Sequence, residues 1–525
     1  MGARGSVIGR GGVAQQFLCL QRSASGPFPR WCLKCGQTNS PRIKCGRATI
    51  GEPPGVRASR ELPPTPQGVR TVIVTVMVSE ANWVDERFPA MRSWDYRRLF
   101  VNGFFTTGSR WAQVLARGWL VHELSDHSST AVGLVTFASF LPFILVGPIA
   151  GVMADRIDRR RLLIWATLFG LASALALTAI VVADVVEVWH VVVLAFLSGA
   201  AQSATVPARQ ALVANSVPKE QLLNAMALAG ISQHGSRVIG PLFGGALLAT
   251  LGAGSVFGLS AVLLSIGLIE VLRLRYRMPV AEVSESASAK FSLTSAVGTV
   301  SSGLVEAGRY VRRDRRLLTI IGLVGAHCSL TMAFDSMMPR LAEDVGGGST
   351  LYSAVLIGLG VGAIAGTLTV SQLHAERAKG VSLAVFGIGS GLAMVVLGTA
   401  TVPAMVVVGA VIAGSMQASY MTVSASLIQE IVADELRGRV MSLYIMIAAG
   451  HMAFINLGFG RAADSIDVRY LLVGPGLLWV AIFLVAMLSL VEVRSLVRRG
   501  RFVSMGTIAA TPAPISAAGG GGGGS

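Results

Sequence analysis

Gly151-Val-Met-Ala-Asp-Arg-Ile-Asp-Arg-Arg-Arg161 closes one long apolar segment of the chain and opens the next. The stretch contains four arginines and two aspartates, and so dense a run of charge is too costly to place inside a lipid bilayer. The simplest interpretation is a hairpin of two membrane helices whose charged turn lies outside the hydrocarbon. The rest of the chain can be tested against this interpretation.

The composition is that of a membrane protein. Of 525 residues, 52% are hydrophobic and 14% are charged, whereas soluble proteins are about 25% charged. The net charge is +16, but the cations lie between apolar runs rather than on one basic face interleaved with aromatic residues. This pattern favours loops retained on the cytoplasmic side of a membrane and argues against a nucleic-acid partner.

Apolar segments of about 20 residues recur from residue 99 onward, and each could cross a hydrocarbon core of ~30 Å as a helix. They lie near residues 99–121, 130–154, 161–183, 187–210, 222–250, 254–275, 316–339, 351–373, 380–399, 403–431, 439–461 and 469–493. The predicted fold is an all-α membrane protein with about twelve transmembrane helices in two pseudo-symmetric six-helix halves. We expect it to be a monomer in the lipid bilayer.

The predicted halves span residues 92–275 and 316–495. Residues 276–315 form a polar linker, whose last third has an apolar stripe and basic flanks typical of a helix on the inner membrane face. Residues 1–91, rich in Gly, Arg, Pro and Ser, predict a disordered leader of uncertain origin. Residues 496–525 predict a disordered tail that ends in a Gly-rich linker.

Four of the five cysteines precede the first apolar segment: Cys19, Cys32, Cys35 and Cys45. The spacing of the middle pair occurs in zinc knuckles, but this region has no histidine and its gaps match no zinc module. We therefore predict no metal site and no cofactor.

Charges in the breaks between segments predict the orientation. Alternate breaks are rich in arginine and lysine, and the intervening breaks carry mainly acids such as Asp126, Asp184 and Asp344. By the positive-inside rule, both termini are cytoplasmic in a multi-pass protein of the cell (inner) membrane.

A weak internal repeat supports two related halves. A shift of 215 residues aligns Gln202 with Gln417 and Met226 with Met441, and further equivalent pairs include glycines. Those glycine pairs are Gly199 with Gly414, Gly235 with Gly450 and Gly245 with Gly460. Duplicated halves with a site at their interface are typical of secondary transporters.

The charged turn resembles the loop between helices two and three of the major facilitator superfamily. The matching residues are Gly151, Asp155, Arg156, Arg159 and Arg160. The resemblance implies that the acid and the arginines contact the other half at the cytoplasmic gate and stabilise the outward-open state. The alternative is that they only anchor a loop. Asp158 departs from the family pattern, which usually has glycine there.

A second motif lies in the fifth segment: Gly240, Pro241, Gly244 and Gly245. It is similar to the helix-five motif of the drug and proton antiporters of that superfamily, and it favours efflux over uptake. Proline bends the helix and glycines allow close approach of a neighbouring helix. The stretches around Arg209 and Arg437 resemble the exporter branch that contains the enterobactin exporter and macrolide efflux pumps.

Ionisable residues at membrane depth are candidates for the substrate cavity and for proton coupling, because a charge is costly there unless it faces a cavity or a partner. They are Arg110, His234, Arg237, His327, Asp335 and His451. Asp335 could instead pair with Arg340, and His327 and His451 could instead satisfy helix contacts. Since Asp335 is the one acid well inside a segment, the cavity is expected to favour neutral or anionic amphiphiles over cations.

These observations predict a secondary active efflux transporter that exports a small siderophore- or drug-like amphiphile by proton antiport with alternating access. An enzyme is not expected, because no nucleotide-binding loop, metal-ligand cluster or nucleophile elbow is present in the sequence. Two alternatives remain: a proton-coupled uptake symporter of the same fold, and a membrane receptor or scaffold that transports nothing.

Overall fold

The computed structural model describes residues 18–22, 31–34, 72–74, 88–275, 293–372 and 376–499. The chain divides into two units, Met1–Pro89 and Ala90–Ser525. In the first unit, the strands Leu18–Arg22, Trp31–Lys34 and Val72–Val74 form an antiparallel sheet with Leu18–Arg22 in the centre. The rest of the predicted leader up to residue 87, and all of the tail beyond residue 499, lie outside the described residues.

The second unit contains the twelve predicted membrane segments, which we call spans one to twelve. The first six are Trp94–Leu124, Ser129–Leu145 continued by Gly147–Arg156, Arg159–Val182, Val188–Ser216, Leu222–Leu251 and Ala253–Leu272. Spans eight to twelve are Gly348–Ser371, Glu376–Gly398, Pro403–Ile431, Asp434–Ala463 and Val468–Ser489. The all-α membrane fold is confirmed.

Span seven is interrupted. It consists of the helix Arg315–His327, a π-helical turn Cys328–Met332, a 3₁₀ turn Asp335–Met337 and the helix Met338–Asp344. The linker contributes the helix Leu293–Arg313, which begins earlier than the stretch predicted from its apolar stripe. A short helix, Val491–Arg499, follows span twelve.

Nine helices of the described part of the chain are long and apolar enough to cross a membrane by length and composition. They correspond to spans three, four and six to twelve. Span one falls short because polar side chains lower its mean hydropathy. These polar side chains, which are buried, include Asn102, Thr106, Ser109, Gln113 and Arg117. Span two falls short because it is interrupted at Val146, so that its first helix has only 17 residues.

We call the end of the second unit that carries the turn 156–161 the inner end, and the opposite end the outer end. Within each half, equivalent glycines of the repeat make equivalent contacts. A Cβ on Gly199 of span four would collide with the backbone of Ser139 in span two. A Cβ on Gly414 of span ten would collide in the same way with Leu359 of span eight. The repeat seen in the sequence is thus a repeat in packing.

The two halves meet at the outer end along two seams, which we define as span two against span eleven and span five against span eight. A Cβ on Gly460 would collide with the carbonyl oxygen of Ser129, and one on Gly133 would lie 2.9 Å from that of Asn456. In the second seam, a Cβ on Gly245 would collide with Ser353. Gly245 and Gly460 are equivalent in the repeat, so the seams are related by the same pseudo-symmetry.

At the inner end the halves separate around a cavity of about 950 Å³. Met226 of span five lines one side, and the other side is lined by Met421, Thr422, Ala425, Ser426, Gln429, Glu430 and Arg437. The structure therefore has a closed outer end and an open inner end, which is one of the two states that alternating access requires.

Because the seams are tightly packed, adding one methyl group at a seam glycine should weaken closure of the outer end. Gly460→Ala should shift the population toward states with a separated outer end, because overpacking a tight contact costs roughly 1–3 kcal/mol. The measurement is the distance between spin labels on Val185→Cys and Ile466→Cys, two exposed outer positions, in protein without other cysteines. Gly458→Ala is the matched control on the same span, because a Cβ there meets nothing within 4 Å. Equal distance distributions for the two variants would contradict the tight seam.

Candidate functional site

Two arginines of the first half lie next to each other around the ring of Trp111. The guanidinium carbon of Arg237, on span five, lies 4.4 Å from the ring centroid, and that of Arg110, on span one, lies 5.8 Å from it. Arg110 also faces the rings of Phe140 and Phe143 at 5.9 and 5.6 Å. Aromatic faces stabilise cations that have lost part of their water, so these contacts explain how both arginines are held at membrane depth.

Asp335 brings a negative charge from the second half to this pair of arginines. Its carboxylate lies within Coulombic range of both Arg237 and Arg110. The alternative pairing of Asp335 with Arg340 is not seen, and within the described parts of the chain Asp335 has no ion pair closer than 4 Å. We call Arg110, Arg237 and Asp335 the central charge group. It joins the two halves electrostatically without a direct salt bridge.

The interruption of span seven places Asp335, and side chains from other spans satisfy the backbone groups that it frees. The amide of Gln417 on span ten donates to the carbonyl oxygen of Thr331 at 2.6 Å. The N–H of Ser336 donates to Oδ1 of Asn456 on span eleven at 3.0 Å. Non-helical backbone at membrane depth requires such partners. Gln417 is one of the residues that define the repeat, and these contacts give it a structural role.

Further arginines line the interior of the first half. Arg117 is 6% exposed and donates to Ser198 at 2.7 Å and to Gln113. Arg209 donates to Thr106 at 3.0 Å. A cavity of about 80 Å³ lies beside Arg110, Gln113 and Arg117 and reaches spans two, three, four and six. The interior of this half is therefore strongly cationic, and Asp335 is the only acid described well inside a span.

The three predicted histidines are not brought together. His234 is half-buried and lies within Coulombic range of Arg237, beside the central charge group. His451 is exposed, and its Nδ1–H donates to the carbonyl oxygen of Ile447 at 2.8 Å. Its ring lies against Gly325 of span seven.

His327 lies elsewhere, in the core of the second half. Its Nε2 is 3.1 Å from the hydroxyl of Ser390, and its ring stacks on Tyr420 with the centroids 4.2 Å apart. Trp479 packs edge-on against it. His327 is fully buried, so the structure favours the helix-contact interpretation for this residue over a place in the cavity.

The charged turn between spans two and three is held within the first half. Asp158 is the N-cap of span three, and its Oδ1 accepts a hydrogen bond from the N–H of Arg160 at 2.8 Å. The aspartate thus replaces the flexible family glycine with a capped helix start. Arg160 donates to the carbonyl oxygens of Val271 and Leu272 at the end of span six. Arg159 begins span three. The contacts of Gly151, Asp155 and Arg156 lie outside what the structure describes.

The glycines of the span-five motif have separate partners. A Cβ on Gly240 would lie 2.5 Å from the carbonyl oxygen of Gly108, so this position sets the contact with span one. Gly244 faces Val256 and Leu115 at 3.2 and 3.4 Å. Gly245 lies in the outer seam described above, and Pro241 lies inside the helix. The motif therefore joins span five to its own half and to the other half at once.

Asp464 forms a polar clasp across the outer end. It follows span eleven and accepts hydrogen bonds from the N–H of Ser129 at 2.6 Å and from Ser128 Oγ at 3.0 Å. The N–H and hydroxyl of Thr130 donate to it as well. A carboxylate at the start of span two also meets the positive end of the helix dipole. We call these four residues the Asp464 clasp.

The sequence also shows Arg117 in span one, two turns from Arg110 on the same face of the helix, although it was not among the candidates. Asn456 and Asp464 have no local signal, because their roles depend on which spans face each other in the folded protein.

Twelve helices in two pseudo-symmetric halves, closed at one end over a group of half-buried charges, define a secondary transporter. A family model described as transmembrane secretion effector matches residues 87–504. The chain belongs to this family of the major facilitator superfamily, in its efflux branch, and is a multi-pass membrane transporter of a small molecule rather than an enzyme.

Two curated relatives illustrate the similarity. Macrolide efflux protein A of Streptococcus pyogenes is 24% identical over 365 residues, which is 68% of this chain and 87% of that protein. The enterobactin exporter of Citrobacter koseri is 25% identical over 333 residues, or 61% of this chain and 74% of that protein. The resemblance inferred from the sequence motifs is confirmed.

A solved structure agrees with the fold. A POT family transporter in complex with 5-aminolevulinic acid superposes with a TM-score of 0.60 and covers 75% of this chain and 96% of its own. The two sequences are 11% identical, so this similarity concerns the fold alone.

The Asp464 clasp predicts a dependence of outer closure on pH. Partial burial works to raise the pKa of Asp464, but hydrogen bonds from Thr130, Ser128 and the Ser129 N–H outweigh it and hold the pKa below its ordinary value. For an acid with a lowered pKa, the stabilisation is present above the unfolded value of roughly 3.9 and is lost as the pH falls through the folded value.

The label distance between Val185→Cys and Ile466→Cys should therefore stay constant from pH 7 to 5 and broaden only below about pH 4. Asp464→Asn should populate the separated outer end roughly two- to fivefold more at pH 7, as expected for a largely exposed charge. Asp467→Asn is the control at the next helix start. A clasp variant with an unchanged distance distribution would show that the seams alone close the outer end.

Proposed function

We propose that this transporter exports a small neutral or anionic amphiphile, siderophore- or drug-like, from the cytoplasm by proton antiport. The single observation that carries the proposal is the central charge group, in which two arginines and one carboxylate from opposite halves face each other below a closed outer end. The names of relatives that export enterobactin or macrolides support the direction of transport and the size class.

The orientation follows from the charge pattern of the loops. The inner end, with its arginine-rich turn, is proposed to face the cytoplasm and to carry both termini, in the cell (inner) membrane. In this orientation, the inner cavity beside Met226 is open to cytoplasmic substrate. The chain is proposed to act as a monomer, because each of the two halves supplies part of the central charge group.

Substrate selection rests on the excess of positive charge. Arg110 and Arg237 present two cations against one carboxylate, and Arg117 and Arg209 add further positive potential inside the first half. A cavity with this balance attracts anionic groups and repels lipophilic cations. The faces of Trp111, Phe140 and Phe143 supply apolar area for the rest of an amphiphile.

Coupling is proposed to act through Asp335. With a charged Asp335, the attraction to Arg110 and Arg237 draws the halves together at membrane depth. A proton on Asp335 removes this attraction and thereby biases the two halves between inward- and outward-facing states. His234, next to Arg237, and His451, which is exposed on span eleven, are further candidates for proton binding.

The turn at residues 151–161 is proposed as the cytoplasmic gate. Arg160 is bound to the end of span six when the inner end is open. Closure would bring Gly151, Asp155, Arg156 and Arg159 toward the second half, as in the superfamily pattern.

Asp335→Asn tests the coupling. In liposomes with an imposed pH gradient, the variant should lose gradient-driven transport and keep downhill exchange of the same substrate, because binding by the arginines is retained. The probe set is a panel of neutral, anionic and cationic amphiphiles. Asp344→Asn, at the outer end of the same span, is the matched control and should behave as the unmodified protein. Transport by Asp335→Asn that still follows the pH gradient would remove Asp335 from the mechanism.

Arg237→Gln tests the charge preference. The variant should bind anionic amphiphiles about tenfold more weakly, equivalent to roughly 1.4 kcal/mol, while neutral ones change less. Arg237→Lys should recover part of the loss, since it keeps the charge but not the planar contact with Trp111. Arg461→Gln, at an exposed outer position, is the control. Efflux of simple lipophilic cations as the main activity would contradict the proposed substrate class.

A further inference from the structure

Two histidines and a glutamate meet at the outer end, away from the central charge group. His122 lies in the last turn of span one, His127 in the turn that follows, and Glu343 in the last turn of span seven. Glu343 Oε2 is 2.8 Å from His122 Nε2 and 3.0 Å from His127 Nδ1. The two ring nitrogens are 3.2 Å apart. One atom from each residue therefore forms a closed triangle across the two halves.

Hydrogen bonds cannot satisfy all three sides of this triangle. The carboxylate oxygen can accept from both rings, but then the two nitrogens that face each other both carry protons. If either nitrogen gives up its proton, one contact with the carboxylate loses its donor. A single cation bound to all three atoms removes this conflict, because each atom offers it a lone pair.

We propose that His122, His127 and Glu343 form a binding site for a divalent transition-metal ion of the zinc type. Zinc bonds to histidine nitrogen at about 2.0–2.1 Å and to carboxylate oxygen at about 2.0–2.2 Å, so tetrahedral ligand atoms lie roughly 3.3 Å apart. The observed sides of 2.8, 3.0 and 3.2 Å need to widen by only a few tenths of an ångström. Two imidazoles and one carboxylate are also a ligand set that zinc uses.

The local backbone is built to bring His127 back over His122. Asp126 and His127 have φ values of 52° and 65°, in the left-handed region that residues other than glycine rarely adopt. The N–H of His127 donates to the carbonyl oxygen of His122 at 2.9 Å. This turn holds the second ligand in place before any ion binds.

The burial of the ligands leaves one coordination position open. The His122 side chain is 1% exposed, whereas those of His127 and Glu343 are 56% and 43% exposed. The ion would therefore be anchored on a buried ring and reached from the outer solvent, with water as its fourth ligand. Arg340 lies within Coulombic range of His122 and moderates the affinity.

Because its ligands come from both halves, the ion acts as a clamp on the outer end. It binds the closed arrangement and loses Glu343 when the halves separate there. At a metal concentration roughly 100 times the dissociation constant, the closed state gains about a hundredfold in population. The binding itself does not depend on transport, but inhibition of export by external zinc rests on the proposed function.

The first experiment measures binding of ZnCl₂ to the purified full chain by calorimetry. The leader cysteines Cys19, Cys32, Cys35 and Cys45 are replaced by serine, because they could bind zinc themselves. One ion per chain is expected. His127→Gln and Glu343→Gln should each weaken binding more than the roughly 10–100-fold caused by the loss of an outer-shell partner.

The variants are chosen so that they do not disturb the fold, since His127 and Glu343 are both largely exposed. His190→Gln is the matched control, because His190 also lies at the outer end but bonds to the N–H of Glu187. The proposal would be overturned if the protein did not bind zinc, or if the His127 and Glu343 variants bound zinc as tightly as the unmodified protein. The three residues would then form a hydrogen-bonded contact only.

The second experiment measures closure of the outer end by the distance between spin labels on Val185→Cys and Ile466→Cys, in protein whose own five cysteines, including Cys328, are all replaced. Zinc should narrow the distribution to the closed outer end, and Glu343→Gln should abolish this effect. Zinc binding without any narrowing would overturn the clamp. If zinc binds and narrows the distribution but external zinc leaves export in liposomes unchanged, the proposed transport cycle fails rather than the metal site.

Discussion

Direct backbone contact between the halves at the outer end is the constraint on which the rest of the structure depends. Lipid offers no hydrophobic force to bring helices together, so membrane helices associate through close packing and small residues. Gly460 and Gly133 bring backbone against backbone where spans eleven and two meet, and Gly245, at the position equivalent to Gly460, lies against the side chain of Ser353 in span eight. A seam made of glycines packs tightly when the outer end is closed. It has no long interlocking side chains that would have to be withdrawn when the outer end separates.

The polar contacts at the outer surface, which we call the rim, contribute to closure in a different way from the glycines of the seams. The Asp464 clasp and the His127–Glu343 contact lie at the outer surface, where water can replace each hydrogen bond as it breaks. Such contacts add little free energy individually, and for this reason they bias the closed state without locking it. Closure is thus divided between a packed seam that sets the geometry and a rim that tunes the equilibrium.

The sequence predicted the architecture well because its signals are additive over long stretches. Twenty-residue apolar segments and the 215-residue offset each average over many residues. The offset even paired Gly245 with Gly460, which have equivalent contacts. The candidate site was predicted less well, because a side chain's facing depends on the rotation of its helix about its axis. His327 has the same polarity signal as Arg237, yet one packs on Tyr420 in a core and the other faces the other half.

Asp158 and Asp464 show which helix caps can be predicted from sequence and which cannot. Asp158 caps the helix that it precedes, and the turn sequence was sufficient to single it out as a departure from the family pattern. Asp464 caps a helix more than 300 residues away in the chain, and only the seam between spans two and eleven makes it a capping residue. Local capping can be predicted from sequence, whereas capping between halves cannot be predicted before the helix pairs are known.

Asn456 connects the seam to the central charge group. Its carbonyl oxygen lies against Gly133 in the seam, and its side chain accepts from the N–H of Ser336, the residue after Asp335. Spans seven and eleven both belong to the second half, so this hydrogen bond makes the interruption of span seven move together with span eleven when the outer seam separates. That interruption is also what places Asp335 beside Arg110 and Arg237. A buried hydrogen bond left unmade at membrane depth costs several kcal/mol, so Asp335 follows span eleven, and separation of the outer end changes the distance of Asp335 from Arg110 and Arg237 in the first half.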